Sequence, residues 1–475
     1  MNLKLEFDVV GTTDIRLAVL VDGEVLWPYP QSSDDGSAIF DAEDVLSYLA
    51  DAWASLLLSE VWPDIFEPRQ EPRSITGLLR AAEDRWDLIA DSDGVDIAAE
   101  QAEIEGFLYK HDLRSLKGGG ALPEFYVMRE GSRYRFETGG DVFTGCSYTS
   151  FVDQLERLGA FARERLVAAG GAYQRTVARW DSRNQADPIL ITSYLTALSV
   201  ADLERERDDL EPLLSSLQTR SLREVANDNA APLVAVARSS GGLGPRGIAD
   251  MIAAFRRLPA GPTERLSERR RIVRADLRHM PNSTDQGIRA ATSIRDWLVC
   301  SPDAAFDLES LSELLSIRVV YVEDLDRRID GLASAGPVNG PAILLNRGTR
   351  RRGSNDDDLD RAIRFTWAHE LGHLLLDHDE WPALIDSAQQ RVPRRIETRA
   401  NAFAAYLLLP TTVAYDAFEQ HRPRMSWTDI EPVLNEIGVK FAVTRIVASR
   451  QVVRGAPPER RTNLDTIFRQ NIENF

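Results

Sequence analysis

The chain has 475 residues, of which 43% are hydrophobic and 8% aromatic, enough apolar material for two or three folded cores. It contains two cysteines, Cys146 and Cys300, which excludes a disulfide framework and a cysteine-rich zinc site. The first residues lack a basic segment followed by an apolar run, and no stretch approaches about eighteen uncharged apolar residues. We therefore expect a soluble, cytoplasmic protein with no membrane partner.

The acidic residues are concentrated near the N-terminus. Residues 1–105 contain 24 Asp and Glu against 6 Lys and Arg, a net charge of −18, which equals the net charge of the whole chain. The remaining residues carry 50 acidic and 50 basic side chains. This asymmetry predicts a separate N-terminal domain. Its charge disfavours nucleic acid as a ligand of that domain, because phosphate would be repelled.

The N-terminal part reads as strands followed by helices. Apolar and polar side chains alternate over residues 3–9, and Asp22-Gly23 predicts a hairpin turn. A second hairpin is predicted around Glu130-Gly131. Helical spacing is found over residues 41–62, 76–90, 97–110 and 148–217. Residues 1–220 are therefore predicted to form an acidic α+β domain.

Residues 221–262 are predicted to link this domain to a second one. They contain N-D-N-A-A-P, S-S-G-G-L-G-P and P-A-G-P, which break regular structure repeatedly, although Ile248–Leu258 could form a short helix. Residues 263–475 are predicted as the C-terminal domain. Its expected order is a helix, a short helix, a strand at Arg318–Val322, a loop, a strand at Ala342–Leu345 and a long helix.

The long helix carries H-E-L-G-H at residues 369–373. His369 and His373 are one helical turn apart, so both imidazoles can face one zinc ion. Glu370 lies about 100° around the helix from His369, where it can act as a general base toward a water molecule. The alternative is that both histidines bond to backbone groups on a half-buried helix. Only six histidines occur in the chain, which makes a chance match rare.

A catalytic zinc ion needs a third protein ligand. Asp377 continues the i, i+4 series, but it lies about 12 Å along the helix from His369, too far to share one ion. Glu397 opens the helical segment E-T-R-A-N-A-F-A-A-Y-L-L-L-P, which could cross the first helix antiparallel. We predict Glu397 as the third ligand, with Asn401 supporting it by hydrogen bonding. Glu397 as a solvated carboxylate, with Asp386 or another carboxylate as the ligand, is the alternative.

The combination of these motifs resembles the ImmA/IrrE metallopeptidases, a family of bacterial and phage regulatory enzymes. The resemblance rests on F-T-W-A-H-E-L-G-H-L-L-L and E-x-x-A-N-x-F-A-x-x-L-L-L-P, on L-S-E-L-L-S-I-R-V-V-Y and I-L-L-N upstream, and on I-G-V-K-F-A-V-T-R-I-V downstream. It covers about residues 300–450. It implies a gluzincin-like domain, a small sheet with helices, in which His369, His373 and Glu397 bind zinc and Glu370 is the catalytic acid and base.

The same resemblance implies a protein substrate, often a helix-turn-helix repressor, cleaved after DNA damage, phage infection or another stress. The chain departs from the family in two respects. It has no obvious helix-turn-helix of its own, and the acidic N-terminal domain is not a standard part of the family. The inducing signal is therefore not implied by the resemblance.

Other side chains each have a functional and a structural interpretation. His378 could polarise a scissile carbonyl or be exposed, Tyr406 could donate to an oxyanion or pack in the core, and Cys300 could be a latency switch on the zinc or a core residue. Two arginine clusters could follow a nucleic-acid backbone or form an ion-paired surface. Their members are Arg265, Arg269, Arg270, Arg271, Arg274 and Arg278, and Arg347, Arg350, Arg351 and Arg352.

The sequence thus favours a zinc endopeptidase that cleaves a specific repressor or antitoxin after a signal, with nucleic acid or a nucleotide as a candidate inducer. Two alternatives remain: a non-catalytic, zinc-stabilised regulator that binds nucleic acid or protein, and a peptidase effector of antiphage defence. An intact Glu370 favours the enzyme, because a structural zinc site does not need it. Residues 1–220 would sense the signal or recruit the substrate.

Overall fold

The computed structural model describes residues 3–28, 37–60, 63, 74–87, 96–117, 122–227, 232–239, 243–277, 280–301, 303–336, 339–349, 356–377, 383–387, 394–421 and 423–472. It divides into two compact units, residues 1–248 (unit 1) and 249–475 (unit 2). Both units mix helices with small sheets, which confirms the mixed α and β composition expected from the sequence. Within these ranges, no helix combines the length and the apolar character that a membrane span requires.

Unit 1 contains two small antiparallel sheets and a set of helices. Its strands are β1 Leu3–Val9, β2 Asp14–Val21, β3 Glu24–Trp27, β4 Ala38–Asp41, β5 Tyr126–Glu130, β6 Arg133–Thr138 and β7 Asp141–Ser147. Its helices are α1 Ala42–Leu58, α2 Leu78–Trp86, α3 Ile97–His111, α4 Tyr148–Ala169, α5 Gln174–Asp181, α6 Pro188–Thr196, α7 Val200–Arg205, α8 Arg207–Leu217, α9 Leu222–Asn227 and α10 Pro232–Ser239, and α11 Pro245–Arg256 crosses the division between the units.

Both predicted hairpins are present. Asp22 and Gly23 have φ values of 52° and 91°, the left-handed conformations that a tight turn between β2 and β3 requires. Strand β2 pairs with β1, β3 and β4, and β6 lies between β5 and β7 in the second sheet. The sequence did not predict β7, which turns the second hairpin into a three-stranded meander.

Helix α1 is the centre of the unit 1 core. Asp41 caps it by accepting a hydrogen bond from the Glu43 amide, 2.7 Å away. Eleven of its 17 residues are buried, so the helix is covered on most sides, and α3, α4 and α5 pack against it. Trp53 is one of these residues, and it packs edge-on against Trp180 of α5.

A buried arginine fixes the end of α1 to the second sheet and to α9. Arg129 is 3% exposed and pairs with Glu60 at 2.9 Å. Its guanidinium also donates to the carbonyls of Leu57 at the end of α1 and Ala226 in α9. Removing one partner of such a buried pair would leave an uncompensated charge. The hydrogen bond from Arg129 to the Ala226 carbonyl attaches α9 to unit 1.

Helices occupy much of the segment predicted as a linker. The described parts of residues 221–262 contain the helices α9, α10 and α11. Each helix is held by a short apolar set, such as Leu222 and Val225 in α9, which are buried. The third helix, Pro245–Arg256, corresponds to the short helix expected at Ile248–Leu258.

His111 at the end of α3 is completely buried and provides a pH-dependent contact. Its Nδ1 donates to the Val127 carbonyl at 2.7 Å, and its Nε2 lies 2.9 Å from the Ser55 hydroxyl. Burial lowers the pKa of His111 from 6.5 to about 4, against the hydrogen bond to Val127, which raises it. The imidazole is therefore neutral in the folded protein at pH 7.

We expect acid to destabilise unit 1 through this histidine. Because the folded-state pKa lies below the unfolded one, its contribution is complete above pH 6.5 and is lost as the pH falls from 6.5 to 4, a loss of about 3 kcal/mol. Urea unfolding at pH 7 and at pH 4.5, monitored by hydrogen exchange in α1, measures this change in the free energy of unfolding. The variant His111→Gln should remove most of the change in the free energy of unfolding between these two pH values. Equal pH dependence in both proteins would contradict this assignment.

Unit 2 contains one sheet with helices around it. Its strands are β8 Arg318–Val322, β9 Ile329–Ser334, β10 Ala342–Asn346 and β11 Ala383–Ser387. Its helices are α12 Glu264–Ala275, α13 Ser283–Trp297, α14 Leu308–Leu314, α15 Asp356–Leu376, α16 Arg394–Leu408, α17 Thr411–Gln420, α18 Trp427–Phe441, α19 Arg445–Gly455 and α20 Pro458–Asn471. The predicted strands at 318–322 and 342–345 are confirmed as β8 and β10.

The sheet has the order β11-β9-β10-β8, and only β8 and β10 are parallel. Strand β9 occupies the stretch that the sequence predicted as a loop. Every one of its residues is buried, and α15 packs against it. A strand buried on both faces shows no alternation of apolar and polar residues, which explains why the pattern missed it.

Helices α13 and α16 approach each other closely in unit 2. Gly287 of α13 lies against the α16 backbone, and a Cβ there would come within 2.3 Å of the Arg399 carbonyl oxygen. Only glycine permits this approach. Since α15 also packs on α16, the three helices form one block behind the sheet.

Candidate metal centre

Helix α15 carries the H-E-L-G-H segment into the interior of unit 2. Its apolar residues Ile363, Trp367 and Leu371 join the core, as their helical spacing predicted. The polar side chains of the motif are buried as well. His369, Glu370 and His373 are 1%, 0% and 2% exposed. Burial of polar groups at this depth requires partners that compensate for lost hydration.

Helix α16 brings Glu397 to the two histidines. The Nε2 atoms of His369 and His373 are 2.8 Å apart. The Glu397 carboxylate lies 3.4 Å from the first and 3.5 Å from the second, and it is 5% exposed. One ligand atom from each residue lies within 4.8 Å of the others, the spacing of a shared metal site. The structure therefore brings together the three ligands predicted from the sequence.

The electrostatics of this cluster favour a cation. Burial alone lowers the pKa of His373, but hydrogen bonds to Asp377 and Glu397 and the negative charges of both carboxylates raise it well above 6.5. Burial likewise raises the pKa of Glu397, yet the two imidazoles lower it well below 4.5. One ligand atom of each of the three side chains lies close to the other two, and a divalent cation can bind all three atoms at once.

Glu370 lies on the sheet side of α15, against β9. A Cβ at Gly331 would come within 2.9 Å of Glu370 Oε1 and of Thr366 Cγ2. The absence of a side chain at Gly331 thus makes room for the Glu370 carboxylate next to the histidine it follows. The carboxylate is not one of the three grouped side chains.

Asp377, which the sequence analysis rejected as a ligand, contacts His373 instead. Its Oδ2 accepts a hydrogen bond from His373 Nδ1 at 2.9 Å. Because a carboxylate only accepts, Nδ1 carries a proton, and Nε2 is the ring atom that faces His369 and Glu397. Asp377 lies one turn after His373, and that i+4 spacing was the sequence signal for this role.

Three of the other candidate residues can be placed. Asn401 is exposed on α16 and makes no side-chain hydrogen bond within the described ranges, which corrects its predicted support of Glu397. Tyr406 and Cys300 are half-buried and pack against the hydrophobic core of unit 2, as their structural interpretations predicted. Burial raises the pKa of the Cys300 thiol. His378 and Asp386 cannot be placed, since His378 lies outside the described residues and the Asp386 side chain is not described.

The first arginine cluster has structural contacts on α12. Arg270 is buried and donates from Nε to the Leu374 carbonyl at the end of α15, 3.0 Å away. Arg269 stacks over the Trp297 ring at 3.5 Å. Arg347 of the second cluster lies 3.7 Å from Asp360. Arg278 and Arg350–Arg352 lie outside the described residues. Arg269, Arg270 and Arg347 therefore fit the ion-paired and packed interpretation, whereas Arg265 and Arg271 are exposed on α12.

The segment from just before α15 to within α19 matches a known family model. Residues 354–452 match the Peptidase_M78 model, the IrrE N-terminal-like domain. The match confirms the resemblance to the ImmA/IrrE peptidases for the C-terminal part of the chain. It begins before α15 and ends within α19, so the M78 domain contains all three grouped ligands. No curated protein and no solved structure matched the chain.

The family match and the side-chain cluster agree on the class of site. An M78 domain is of the metallopeptidase type, and the buried group His369, His373 and Glu397 can hold a metal ion. A peptidase domain acts on a protein or peptide.

Proposed function

We propose that unit 2 is a zinc-dependent endopeptidase with a gluzincin-like site. The observation that supports the proposal is the His369, His373 and Glu397 cluster with Glu370 beside it. Two imidazoles and one carboxylate form the donor set of catalytic zinc, which retains an open position for a fourth ligand. Structural zinc sites are usually closed by four protein ligands, commonly with cysteine.

The residues divide into those that hold the metal and one that moves a proton. His369, His373 and Glu397 would hold zinc, which supplies Lewis-acid polarisation of a scissile carbonyl and acidifies a water molecule. Glu370 would take the proton of the attacking water on its carboxylate and pass it to the leaving amine nitrogen. Its burial against Gly331 keeps the carboxylate in a region of low dielectric, where such a proton transfer is effective.

The proposed substrate is a specific regulatory protein of the repressor or antitoxin type, cut after a stress, DNA-damage or phage signal. The resemblance to the ImmA/IrrE family supports this substrate class. Residues 1–220 are proposed to sense that signal or recruit the substrate in the cytoplasm. Their support is the concentration of net charge in residues 1–105, which is −18. A role as effector in antiphage defence would use the same chemistry.

The non-catalytic alternative depends on the arginine clusters binding nucleic acid. Arg270 is used inside the protein, where it caps α15, and Arg269 is stacked on Trp297. Nucleic-acid binding requires exposed, unneutralised cations along a surface. The contacts of these side chains therefore weigh against this alternative.

We expect the purified protein to bind about one zinc ion per chain. His369→Ala, His373→Ala and Glu397→Ala should each reduce zinc occupancy below half after dialysis against submicromolar zinc, because each removes one of three ligands. Elemental analysis by mass spectrometry measures it. Asn401→Ala, on the same helix as Glu397 but exposed, is the matched control and should keep full occupancy. Full occupancy in Glu397→Ala would make another carboxylate the third ligand.

A further inference from the structure

The two helices that carry the grouped ligands are joined by a buried ion pair. Asp377, four residues after His373, and Arg399, two residues after Glu397, meet through Asp377 Oδ1 and Arg399 Nη2. The Asp377 side chain is 0% exposed and that of Arg399 is 14% exposed. The other oxygen of the same carboxylate accepts from His373 Nδ1. One carboxylate thus contacts both a ligand histidine and the helix of Glu397.

A third helix extends this connection. Arg399 Nη1 donates to Gln286 Oε1 at 3.0 Å, and Gln286 Nε2 donates to the Met280 carbonyl at 2.6 Å just before α13. Gln286 precedes Gly287, a position where α13 lies against the α16 backbone. The guanidinium is therefore held on two sides, by α15 and by α13. The hydrogen bond to Gln286 therefore helps to orient the Arg399 guanidinium toward Asp377.

Local helix energetics do not explain this carboxylate. Asp377 follows the last residue of α15, where the helix dipole is negative and a carboxylate is unfavourable by about 0.3–1 kcal/mol. Burying it adds a desolvation cost. Arg399 and His373 offset both costs by pairing with it. A residue placed against its local preference and paired on both oxygens has a role beyond holding its own helix.

We infer that Arg399 is a positioning residue for the metal centre, acting through Asp377 on His373. The guanidinium fixes the rotamer of Asp377, and Asp377 fixes the ring orientation and the tautomer of His373. Since Arg399 and Glu397 lie on the same turn of α16, the same pair sets the distance between Glu397 and the histidines of α15. The inference rests on the proposed metal site and adds the residues that hold its geometry.

The test is the zinc affinity of full-length variants, with cobalt substitution as a probe of geometry. Arg399→Leu should weaken zinc binding about 10- to 100-fold, the usual effect of removing a hydrogen-bonding partner behind a metal ligand. Arg399→Lys should recover part of the loss, because an ammonium still pairs with Asp377 but cannot bond to Gln286 in the same geometry. The visible absorption of the cobalt-loaded protein should change in Arg399→Leu and return toward wild type in Arg399→Lys.

A neutral double variant separates a loss of zinc affinity from a loss of folding stability. Removing only one charge leaves the other buried and unpaired, so Arg399→Leu can lose stability as well as affinity. Asp377→Asn with Arg399→Gln removes both charges and retains similar shapes. It should keep the unfolding temperature of the metal-free protein close to wild type while still lowering zinc affinity. Asn401→Ala is the exposed control on α16 and should change neither quantity.

The outcomes separate this inference from the proposed function. If the wild type binds no zinc, the proposed function fails. If the wild type binds zinc, and the folded double variant binds it equally tightly with an unchanged cobalt spectrum, the positioning role is overturned while the metal site stands. Weakened zinc binding in a normally folded double variant, with partial rescue by lysine, supports the positioning role.

Discussion

Glu370→Gln is expected to bind zinc as well as the wild type and to lose proteolysis. The amide has nearly the same shape as the carboxylate, so it fits beside Gly331, but it cannot take a proton from water. A positioned general base contributes roughly 10²- to 10⁴-fold to a rate. We therefore expect hydrolysis to fall by at least about 10²-fold, with zinc occupancy still at about one ion per chain.

The measurement needs a substrate, and the same variant can provide one. An inactive enzyme with an intact metal site retains its substrate, so Glu370→Gln purified from the native host should co-purify with the target for identification by mass spectrometry. Cleavage of that target by wild type and variant is then compared. Glu397→Gln is the matched control, since the same chemical change should remove the metal. A Glu370→Gln protein that cleaves at the wild-type rate would exclude Glu370 as the base.

Gly287→Ala is expected to destabilise unit 2 and weaken its metal binding together. The new Cβ would lie 2.3 Å from the Arg399 carbonyl oxygen and 2.8 Å from the Phe403 amide nitrogen, both backbone atoms of α16. Helix α16 must move to accept it, and overpacking of this kind costs about 1–3 kcal/mol or more. Because α16 carries Glu397, we expect zinc affinity to fall at least about tenfold as well.

The matched control is the same substitution in a helix where there is space. Gly106 lies in α3, and no atom lies within 4 Å of a Cβ built there. Gly106→Ala should stabilise the protein by about 0.5–1 kcal/mol, because alanine loses less conformational freedom in a helix. Thermal unfolding and zinc titration of both variants provide the comparison. Wild-type stability and affinity in Gly287→Ala would show that α13 and α16 do not approach this closely.

The clustering of His369, His373 and Glu397 could be predicted from the sequence because each has a strong local signal. His369 and His373 have the i, i+4 spacing that places both on one helix face, and Glu397 lies in the first turn of a long helix that ends before Pro410. Those two helices are present with the predicted character. The structure adds the distances among the three side chains, which no periodicity provides.

The supporting elements could not be predicted because their signals are weak or not local. Strand β9 contains Asp330-Gly331, a pair that usually marks a turn, and only its burial between β10 and β11 explains its extended conformation. Helix α13 contains few large apolar residues. Its close packing on α16 depends on Gly287, and a glycine in a helical pattern lowers the expectation of a helix.

The residues behind the ligands show a different limit. Asn401 was expected to support Glu397 because it lies one turn along the same helix, yet its side chain is exposed. Arg399 and Asp377 are 22 residues apart and meet through the packing of α15 against α16. Helical spacing identifies neighbours within one helix. It does not identify a partner on another helix until the crossing of the two is known.

Because the proposed ligands are divided between α15 and α16, zinc binding should affect how much of the protein accumulates in cells. A metal ion bound there cross-links two helices, and any ligand that binds only the folded state raises its stability, by about 4 kcal/mol at a thousand times its dissociation constant. Steady-state abundance should then follow the zinc supply, because unfolded chains are degraded. Cells expressing His373→Ala or Glu397→Ala would contain less protein as well as less activity. Complementation by Glu370→Gln, which keeps the cross-link, is therefore the comparison that isolates catalysis from turnover.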